Sequence, residues 1–228
     1  MLTELADSPR TWTGGGVAPS LVVDGTGTAW QACTYGDLWK ELQRRRQPGR
    51  RLVIGIDGRS GSGKTTLAAG LAKQSRHTAV IHTDDIAWHH SFFGWGHLLV
   101  DGLLEPFHDG LSPIQYKPES WRQRGRPGAI TIPATTATLV VEGVGVAARE
   151  IRRLLDVSVW VDTPMPIGRE RVCSRGVDTT GFIDQWMAEE AVFLDEHRPW
   201  DSADLWVNGQ LGQPAVDWRG TVFTANRR

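Results

Sequence analysis

The chain has 228 residues, 25 basic and 26 acidic side chains, and a formal net charge of −1. This length suits one domain with a substantial core, and the near-neutral charge argues against nucleic acid or an anionic membrane as the main partner. Two cysteines, Cys33 and Cys173, are too few for a disulfide framework and lack zinc-ligand spacing. The sequence shows no signal-like segment and no bilayer-spanning apolar run, which favours a cytoplasmic location.

Predicted helices and strands alternate along most of the chain. Apolar residues at helical spacing predict helices at residues 35–47, 67–74, 98–107, 146–155, 167–175 and 182–196. Short apolar runs predict strands at residues 52–57, 78–82, 138–141, 157–161 and 205–207. Strands that alternate with helices are typical of a parallel sheet covered on both faces. We therefore predict a three-layer α/β fold with a mainly five-stranded parallel sheet and helices on both faces.

Composition divides the chain into two parts. Residues 1–50 begin without periodicity and are expected to be an N-terminal extension that packs on the core, while residues 51–228 carry the alternating elements. Within the second part, residues 86–137 include a loop-rich, proline-containing stretch and are predicted to form an insertion that binds an acceptor. A polar segment at about residues 175–182 is predicted to be a short lid.

The segment from Gly58 to Thr65 fits the phosphate-binding pattern G-x-x-x-x-G-K-[ST] of the P-loop NTPases, and it lies between a strand-like and a helix-forming run. Glycines let the backbone curve around a polyphosphate, and the following helix directs its N-terminal N–H groups at the same place. Lys64 is expected to reach the β- and γ-phosphates, and the Thr65 hydroxyl to bind Mg²⁺. The predicted nucleotide-binding residues are Gly58, Ser60, Gly61, Ser62, Gly63, Lys64, Thr65 and Thr66.

Carboxylates follow three other predicted strands, at Asp84-Asp85, Glu142 and Asp162. Ligands of an open parallel sheet bind beyond the carboxyl ends of its strands, so these side chains should lie near the phosphate loop. We predict that Asp84 accepts a proton from the attacking hydroxyl, and that Asp85 and Glu142 join Thr65 around Mg²⁺. The alternatives are that the aspartates cap a helix and that Glu142 is a surface turn carboxylate.

Aromatic and basic residues complete the candidate site. Trp88 and Trp95 lie between the aspartates and the next helix, where an acceptor would bind, and flat rings suit a nucleobase, although core packing is an equal alternative. His89 and His90 lack the spacing of a three-ligand metal site. Three arginines follow the fourth strand and could clamp phosphates, or could form a solvated helix face. They are Arg169, Arg171 and Arg175.

Five segments together resemble the uridine kinase-like branch of the P-loop kinases, which includes phosphoribulokinase and pantothenate kinase. They are GIDGRSGSGKTTLA, HTDDIAW, LVVEGVG, DVSVWVDTPMPIGRERVCSRG and ADLWVNG, and they span about residues 51–209. The resemblance implies that Asp84 is a base toward a sugar hydroxyl and that Arg169 and Arg175 are the catalytic arginines. The family often has an aromatic pair directly after the aspartates, whereas this chain has Ile-Ala-Trp at residues 86–88, so the acceptor is left open.

The sequence therefore predicts a kinase that uses ATP and Mg²⁺ to phosphorylate a hydroxyl of a nucleoside-like metabolite. One alternative is a non-nucleoside acceptor such as a drug, sugar or vitamin precursor. Another is a nucleotide-dependent regulatory binder, although no N-K-x-D guanine signature is present. The predicted partner is a small molecule rather than nucleic acid or a membrane, and a homodimer is left open.

Overall fold

A computed structural model describes residues 21–23, 29–210 and 221–225 of the chain. Its strands are β1 (Leu21–Val23), β2 (Ala29–Thr34), β3 (Leu52–Gly58), β4 (Thr78–His82), β5 (Ile114–Tyr116), β6 (Ile130–Ile132), β7 (Thr138–Glu142), β8 (Val157–Asp162), β9 (Leu205–Asn208) and β10 (Thr221–Ala225). Its α-helices are α1 (Tyr35–Gln43), α2 (Lys64–Ala72), α3 (Thr83–Ala87), α4 (Gly96–Leu99), α5 (Glu105–His108), α6 (Glu119–Gln123), α7 (Arg149–Arg152), α8 (Met165–Ser174), α9 (Thr180–His197) and α10 (Pro199–Ser202), with a π-helical segment, Val100–Leu104, joining α4 to α5.

Eight strands form the main sheet, in the order β1-β2-β10-β9-β8-β3-β7-β4. The last five pair in parallel, which confirms the predicted α/β fold and its parallel sheet. Three antiparallel strands, β10, β2 and β1, extend this sheet beyond β9. The mixed composition of residues 29–34, AWQACT, lacks the continuous apolar run that marked the parallel strands, so sequence patterning did not identify β2 as a strand.

Each face of the sheet is covered by its own helices and its own core. Along β3, Ile54 and Ile56 pack against α1 and α2, whereas Val53 packs on the opposite core, because successive strand residues point to opposite faces. All seven residues of β3 are buried, as expected for a central strand of a parallel sheet. The opposite core holds Leu99, Leu103 and Phe107, from the continuous helical stretch α4–α5. This stretch corresponds to the helix predicted at residues 98–107.

The parallel strands end at a common edge of the sheet. In the registers, Gly58 of β3 pairs with Val161 of β8, and His82 of β4 pairs with Glu142 of β7. The turns that follow these strands therefore meet at one end, as the open-sheet rule requires. No helix among the described residues has the length and apolarity needed to cross a bilayer.

In three segments the observed local structure differs in detail from the prediction. The helix predicted at residues 146–155 is only the single turn of α7, since the residues before it form a loop fixed by hydrogen bonds to β3. Residues 110–137 contain α6 and the hairpin of β5 and β6. Of residues 1–50, the described part adds β1, β2 and α1 to the main layers, and residues 1–20 and 24–28 lie outside it.

The two cysteines have different environments. Cys33 lies on β2 and is buried in the core beneath α1, and burial raises the pKa of its thiol to about 11. Cys173 lies near the end of α8 and is half-buried. The thiolate is the form that reacts with alkylating reagents.

We expect iodoacetamide at pH 8 to modify Cys173 well before Cys33 in the folded protein. With its pKa near 11, only about one Cys33 thiol in a thousand is ionised at this pH. Mass spectrometry of tryptic peptides measures both rates, and protein unfolded in urea, where both cysteines should react, is the control. Equal rates in the folded state would contradict the buried position of Cys33.

Candidate functional site

The phosphate-binding motif forms the turn between β3, which ends at Gly58, and α2, which begins at Lys64. Gly61 and Gly63 have φ values of +72° and +103°, which residues with a Cβ rarely adopt. A Cβ on Gly61 would lie 2.2 Å from the carbonyl oxygen of Gly168 on α8. The loop therefore needs glycine both for its curvature and for its close contact with α8.

The Lys64 side chain folds over this loop. Its Nζ donates hydrogen bonds to the carbonyl oxygens of Gly58 at 2.8 Å and Arg59 at 2.9 Å, and the residue is only 8% exposed. Burial lowers the pKa of Lys64, and the nearby carboxylates of Asp57 and Glu142 oppose that shift. The amine is thus held at the loop by two neutral carbonyls, which the oxygens of an anionic phosphate could replace with stronger hydrogen bonds.

The backbone N–H groups of the loop divide into two sets. Three of them donate within the protein: that of Gly58 to the carboxylate of Asp57, that of Ser60 to the carboxylate of Glu190 on α9, and that of Ser62 to the carbonyl of Arg59 at 3.0 Å. The N–H groups of Gly61, Gly63 and Lys64 are among those without a protein acceptor in the described part of the chain. Unpaired N–H groups at a glycine-rich helix start are the arrangement that binds a phosphate.

Thr65 and Glu142 join the phosphate loop to the neighbouring strand end. The Thr65 hydroxyl donates to Oε1 of Glu142 at 2.9 Å, and Nδ1 of His82 lies 2.5 Å from the same oxygen. Burial raises the pKa of Glu142, but the hydrogen bond to His82 and the charge of Lys64 outweigh it and hold that pKa below its usual value. The hydrogen bond to Glu142 in turn raises the pKa of His82. Glu142 is 5% exposed, so it is not a surface turn carboxylate.

Asp84 lies in the first turn of α3, directly after β4. The N-cap position is His82, and no side chain caps this helix, so the structure gives no support to the alternative that the aspartates serve as caps. The Asp84 side chain is exposed, yet enough protein lies around its carboxyl group that desolvation raises its pKa, while the charge of Lys64 opposes the rise.

Asp85 points to a different partner. Its Oδ1 lies 2.5 Å from Nη2 of Arg126, and its carbonyl oxygen accepts the indole N–H of Trp121 at 2.9 Å. The Arg126 guanidinium lies 3.6 Å from the ring centroid of Trp121 and 5.0 Å from that of Trp88. Asp85 therefore connects α3 to the 86–137 segment, and its predicted contact with Mg²⁺ stays a prediction.

The three arginines after β8 have three different environments. Arg171 donates to the carbonyl oxygens of Gly61 at 3.1 Å and Gly209 at 3.0 Å, so it braces the outer side of the phosphate loop. Arg169 is exposed and pairs with Asp184 of α9 at 2.8 Å. Arg175 is exposed at the end of α8. The structure thus brings Arg171 to the loop and leaves Arg169 exposed on α8 and Arg175 exposed at the end of that helix.

The two tryptophans predicted to contact an acceptor substrate differ in their burial. Trp88 is partly buried beside Arg126, near the Asp84 turn. Trp95 is only 3% exposed, packs in the core, and donates its indole N–H to the carbonyl of Phe92. Contact of Trp88 with an acceptor stays a prediction, and the structure gives no support to such a contact for Trp95.

Asp57 is a structural residue of the site that sequence reasoning did not single out. It is 1% exposed, and its carboxylate accepts backbone N–H groups of Gly58 at 2.7 Å, Gly145 at 3.0 Å and Ala147 at 2.9 Å. Burial raises the pKa of Asp57, whereas these three hydrogen bonds lower it. Asp57 thereby ties the loop after β7 to the end of β3, and its only sequence signal was its position at a strand end.

Other residues near the loop were missed because they come from distant parts of the chain. His82 is the last residue of β4, and only the parallel register shows that it meets Glu142. Trp186 and Glu190 lie on α9, about 130 residues from the loop they contact. Their spacing of four on a predicted helix indicated a shared face, but nothing in the sequence indicated what that face meets.

Comparison with known proteins finds relatives in sequence. No family model matches the chain. The chain is 26% identical over 153 residues to the uridine kinase of Borreliella burgdorferi (strain ZS7), covering 59% of this chain and 74% of that one. It is likewise 26% identical over 148 residues to the uridine kinase of Latilactobacillus sakei subsp. sakei (strain 23K), covering 57% and 69%.

Solved structures share the fold. A possible uridine kinase from Bacillus stearothermophilus matches with a TM-score of 0.51 and 21% identity, over 75% of this chain and 96% of that one. The YGR205w protein matches with a TM-score of 0.50 and 12% identity, over 86% of this chain and 100% of that one. Together with the sequence relatives, these comparisons confirm the predicted resemblance to uridine kinase-like P-loop kinases.

We expect Asp57→Asn to lower the free energy of unfolding by about 1–3 kcal/mol. The asparagine oxygen can still accept the two N–H groups now bound by Oδ1, but its NH₂ group would face the N–H of Ala147, which is bound by Oδ2. Urea unfolding followed by circular dichroism measures the change. Asp109→Asn, at an exposed position, is the matched control and should change stability little. Equal stability of the two variants would contradict the anchoring role of Asp57.

Proposed function

Because the chain resembles uridine kinase-like P-loop kinases in sequence and fold, we propose that it is an ATP-dependent kinase acting on the hydroxyl of a nucleoside-like metabolite. The observation that carries the proposal is the meeting of three strand ends at one edge of the sheet. There the Thr65 hydroxyl of the phosphate loop lies 2.9 Å from Glu142, and Asp84 follows the next strand. Such a site combines a phosphate cradle, oxygen ligands and a base, as phosphoryl transfer requires.

The donor side of the site would be formed by the phosphate loop. The free N–H groups and the Lys64 amine would bind the β- and γ-phosphates of ATP, with Lys64 exchanging its present carbonyl partners for phosphate oxygens. Charge at these oxygens grows as the phosphoryl group moves, so a fixed ammonium stabilises the transition state. Thr66 follows on the first turn of α2 and would complete the contact.

Oxygen atoms of Thr65 and Glu142 fit a magnesium site. Mg²⁺ prefers oxygen ligands and commonly takes one or two from protein while phosphates and water supply the rest. Here the Thr65 hydroxyl and Glu142 would be the two protein ligands, since they lie 2.9 Å apart. When bound, the ion would neutralise phosphate charge. Asp85 would have to join the ion through Oδ2, because its Oδ1 contacts Arg126.

On the acceptor side, Asp84 is proposed to be the base. The attacking hydroxyl would give its proton to the Asp84 carboxylate as its oxygen bonds to the γ-phosphorus and the bond to the β-phosphate oxygen breaks, releasing ADP. A partly desolvated carboxylate with a raised pKa is a better proton acceptor than a fully solvated one. The positive charge of Lys64 opposes this rise in the pKa of Asp84.

The 86–137 segment and the lid are proposed to complete the site. Trp88, placed beside the Arg126–Asp85 pair, would supply a flat surface for a nucleobase or a similar group. Closure of the segment near residues 175–182 would bring Arg169 and Arg175 from the surface to the phosphates, and Arg169 would exchange Asp184 for a phosphate oxygen.

We expect Asp84→Asn to lower the rate of acceptor phosphorylation about 10²–10⁴-fold while ATP binding is kept, since the amide cannot accept the proton. The acceptor is first identified by incubating the wild type with Mg²⁺, ATP and a panel of nucleosides, sugars and vitamin precursors, read by the mass gain of one phosphoryl group. Calorimetry measures ATP binding by the variant.

Asp195→Asn is the control, because Asp195 is exposed near the end of α9 and is not among the residues proposed for the site. Full phosphorylation by Asp84→Asn would disprove the assignment of the base. Wild-type protein that binds ATP but phosphorylates no member of the panel would favour a nucleotide-dependent binder over a kinase.

A further inference from the structure

Helix α9 contacts the phosphate loop through two side chains that the proposed chemistry does not use. Glu190 accepts the backbone N–H of Ser60 with both carboxylate oxygens, at 3.0 and 3.2 Å. The indole N–H of Trp186 lies 2.7 Å from the Ser60 hydroxyl and 3.1 Å from Oε2 of Glu190. Three residues thus form a closed hydrogen-bonded group at the middle of the loop.

The Glu190 carboxylate in this hydrogen-bonded group is buried, and burial of a charged group costs free energy of folding unless hydrogen bonds compensate it. Glu190 is 3% exposed, and a buried carboxylate without hydrogen bonds strongly destabilises a folded protein. Its neighbour Glu189 is exposed, so α9 carries one carboxylate to solvent and turns the next toward the loop. The described hydrogen-bond donors to Glu190 are the N–H of Ser60 in the loop and the indole N–H of Trp186. The buried carboxylate therefore depends on the loop for part of its compensation.

The same loop is held at two further points by α8. Arg171 donates to the carbonyl of Gly61 at 3.1 Å, and a Cβ on Gly168 would lie 2.5 Å from the carbonyl of Ser60. The backbone of Ser60 therefore has its N–H bound by Glu190 and its carbonyl oxygen in close contact with α8. Both contacts lie on loop atoms other than the N–H groups left for phosphate.

Trp186 also connects this group to the acceptor side. Its ring centroid lies 5.0 Å from that of Phe92 and 5.3 Å from that of Phe93, in the segment that follows Asp84 and Trp88. Aromatic pairs at these distances pack favourably. One side chain therefore contacts both the phosphate loop and the segment proposed to hold the acceptor.

We propose that Glu190 and Trp186 are positioning residues that hold the phosphate loop in its binding shape before nucleotide arrives. A loop that is already ordered loses less conformational freedom on binding and so binds more tightly. The inference rests on the proposed function, because it assumes that the loop binds the polyphosphate of ATP. It extends the site to α9, which the motif-based prediction did not include.

The test compares Glu190→Gln with Glu189→Gln, which removes the same charge from an exposed side chain one residue away. Binding of Mg-ATP and of inorganic tripolyphosphate is measured by calorimetry, well below the melting temperature of each variant. The side-chain amide in Glu190→Gln can accept only with its oxygen, and its NH₂ group would oppose either Ser60 or Trp186. We expect affinity for both ligands to fall at least about fivefold in Glu190→Gln. Glu189→Gln should stay within about twofold of the wild type.

Trp186→Phe provides a second variant, which keeps an aromatic ring beside Phe92 and Phe93 but removes the N–H donor. This variant should lower the affinity for both ligands by about two- to fivefold. If Glu190→Gln does not fold, Trp186→Phe is used for the test in its place. Because tripolyphosphate has no base or sugar, an equal loss for both ligands places the effect at the phosphate loop.

The outcomes separate the two proposals. Wild-type protein that does not bind Mg-ATP would overturn the proposed function and this inference with it. Wild-type binding together with equal or tighter binding in Glu190→Gln would overturn the inference alone, since that result means the carboxylate only repels phosphate. Loss of ATP affinity without loss of tripolyphosphate affinity would also overturn it.

Discussion

The candidate site depends on the buried carboxylate of Asp57. A carboxylate removed from water must be matched by hydrogen-bond donors, and here the donors are backbone N–H groups from two separate turns. One donor belongs to the turn that starts the phosphate loop, and the other two belong to the turn after Glu142. A polar group that is expensive to bury thus fixes the relative position of two strand ends, and the Thr65–Glu142 hydrogen bond joins the same two ends.

A second requirement is that the backbone of α8 pack directly against the backbone of the phosphate loop, with no side chain between them. Gly61 and Gly168 allow α8 to approach the loop at contact distance. The hydrogen bonds of Arg171 and Glu190 then fix the loop peptides that this approach brings close. The phosphate loop is consequently supported by packing and hydrogen bonds from α8 and α9, while its N–H groups at Gly61, Gly63 and Lys64 have no acceptor among the described residues.

Much of this arrangement could be predicted from local sequence patterns. The motif from Gly58 to Thr65 located the loop, and apolar runs located the five parallel strands. For the central strands β3, β7 and β8 the reason is burial on both faces, which leaves a continuous apolar signal. The contacts of His82, Trp186 and Glu190 could not be predicted, since each depends on a partner far away in the chain. Arg171 shows the same limit: helical spacing placed it with its neighbours, but only the packing of α8 distinguishes the arginine that meets the loop.

The order of the strands has a consequence for how such a site can change. β3, which leads into the phosphate loop, lies between β7 and β8 and is paired along both sides. β4, which leads into Asp84 and the 86–137 segment, is one of the two edge strands of the main sheet in the described chain and pairs with β7 alone. Connecting segments tolerate insertions and substitutions better than the strands they join, and the segment after β4 leaves from an edge of the sheet. Remodelling that segment would change the proposed acceptor side while the central strand and the phosphate loop that follows it keep their paired positions.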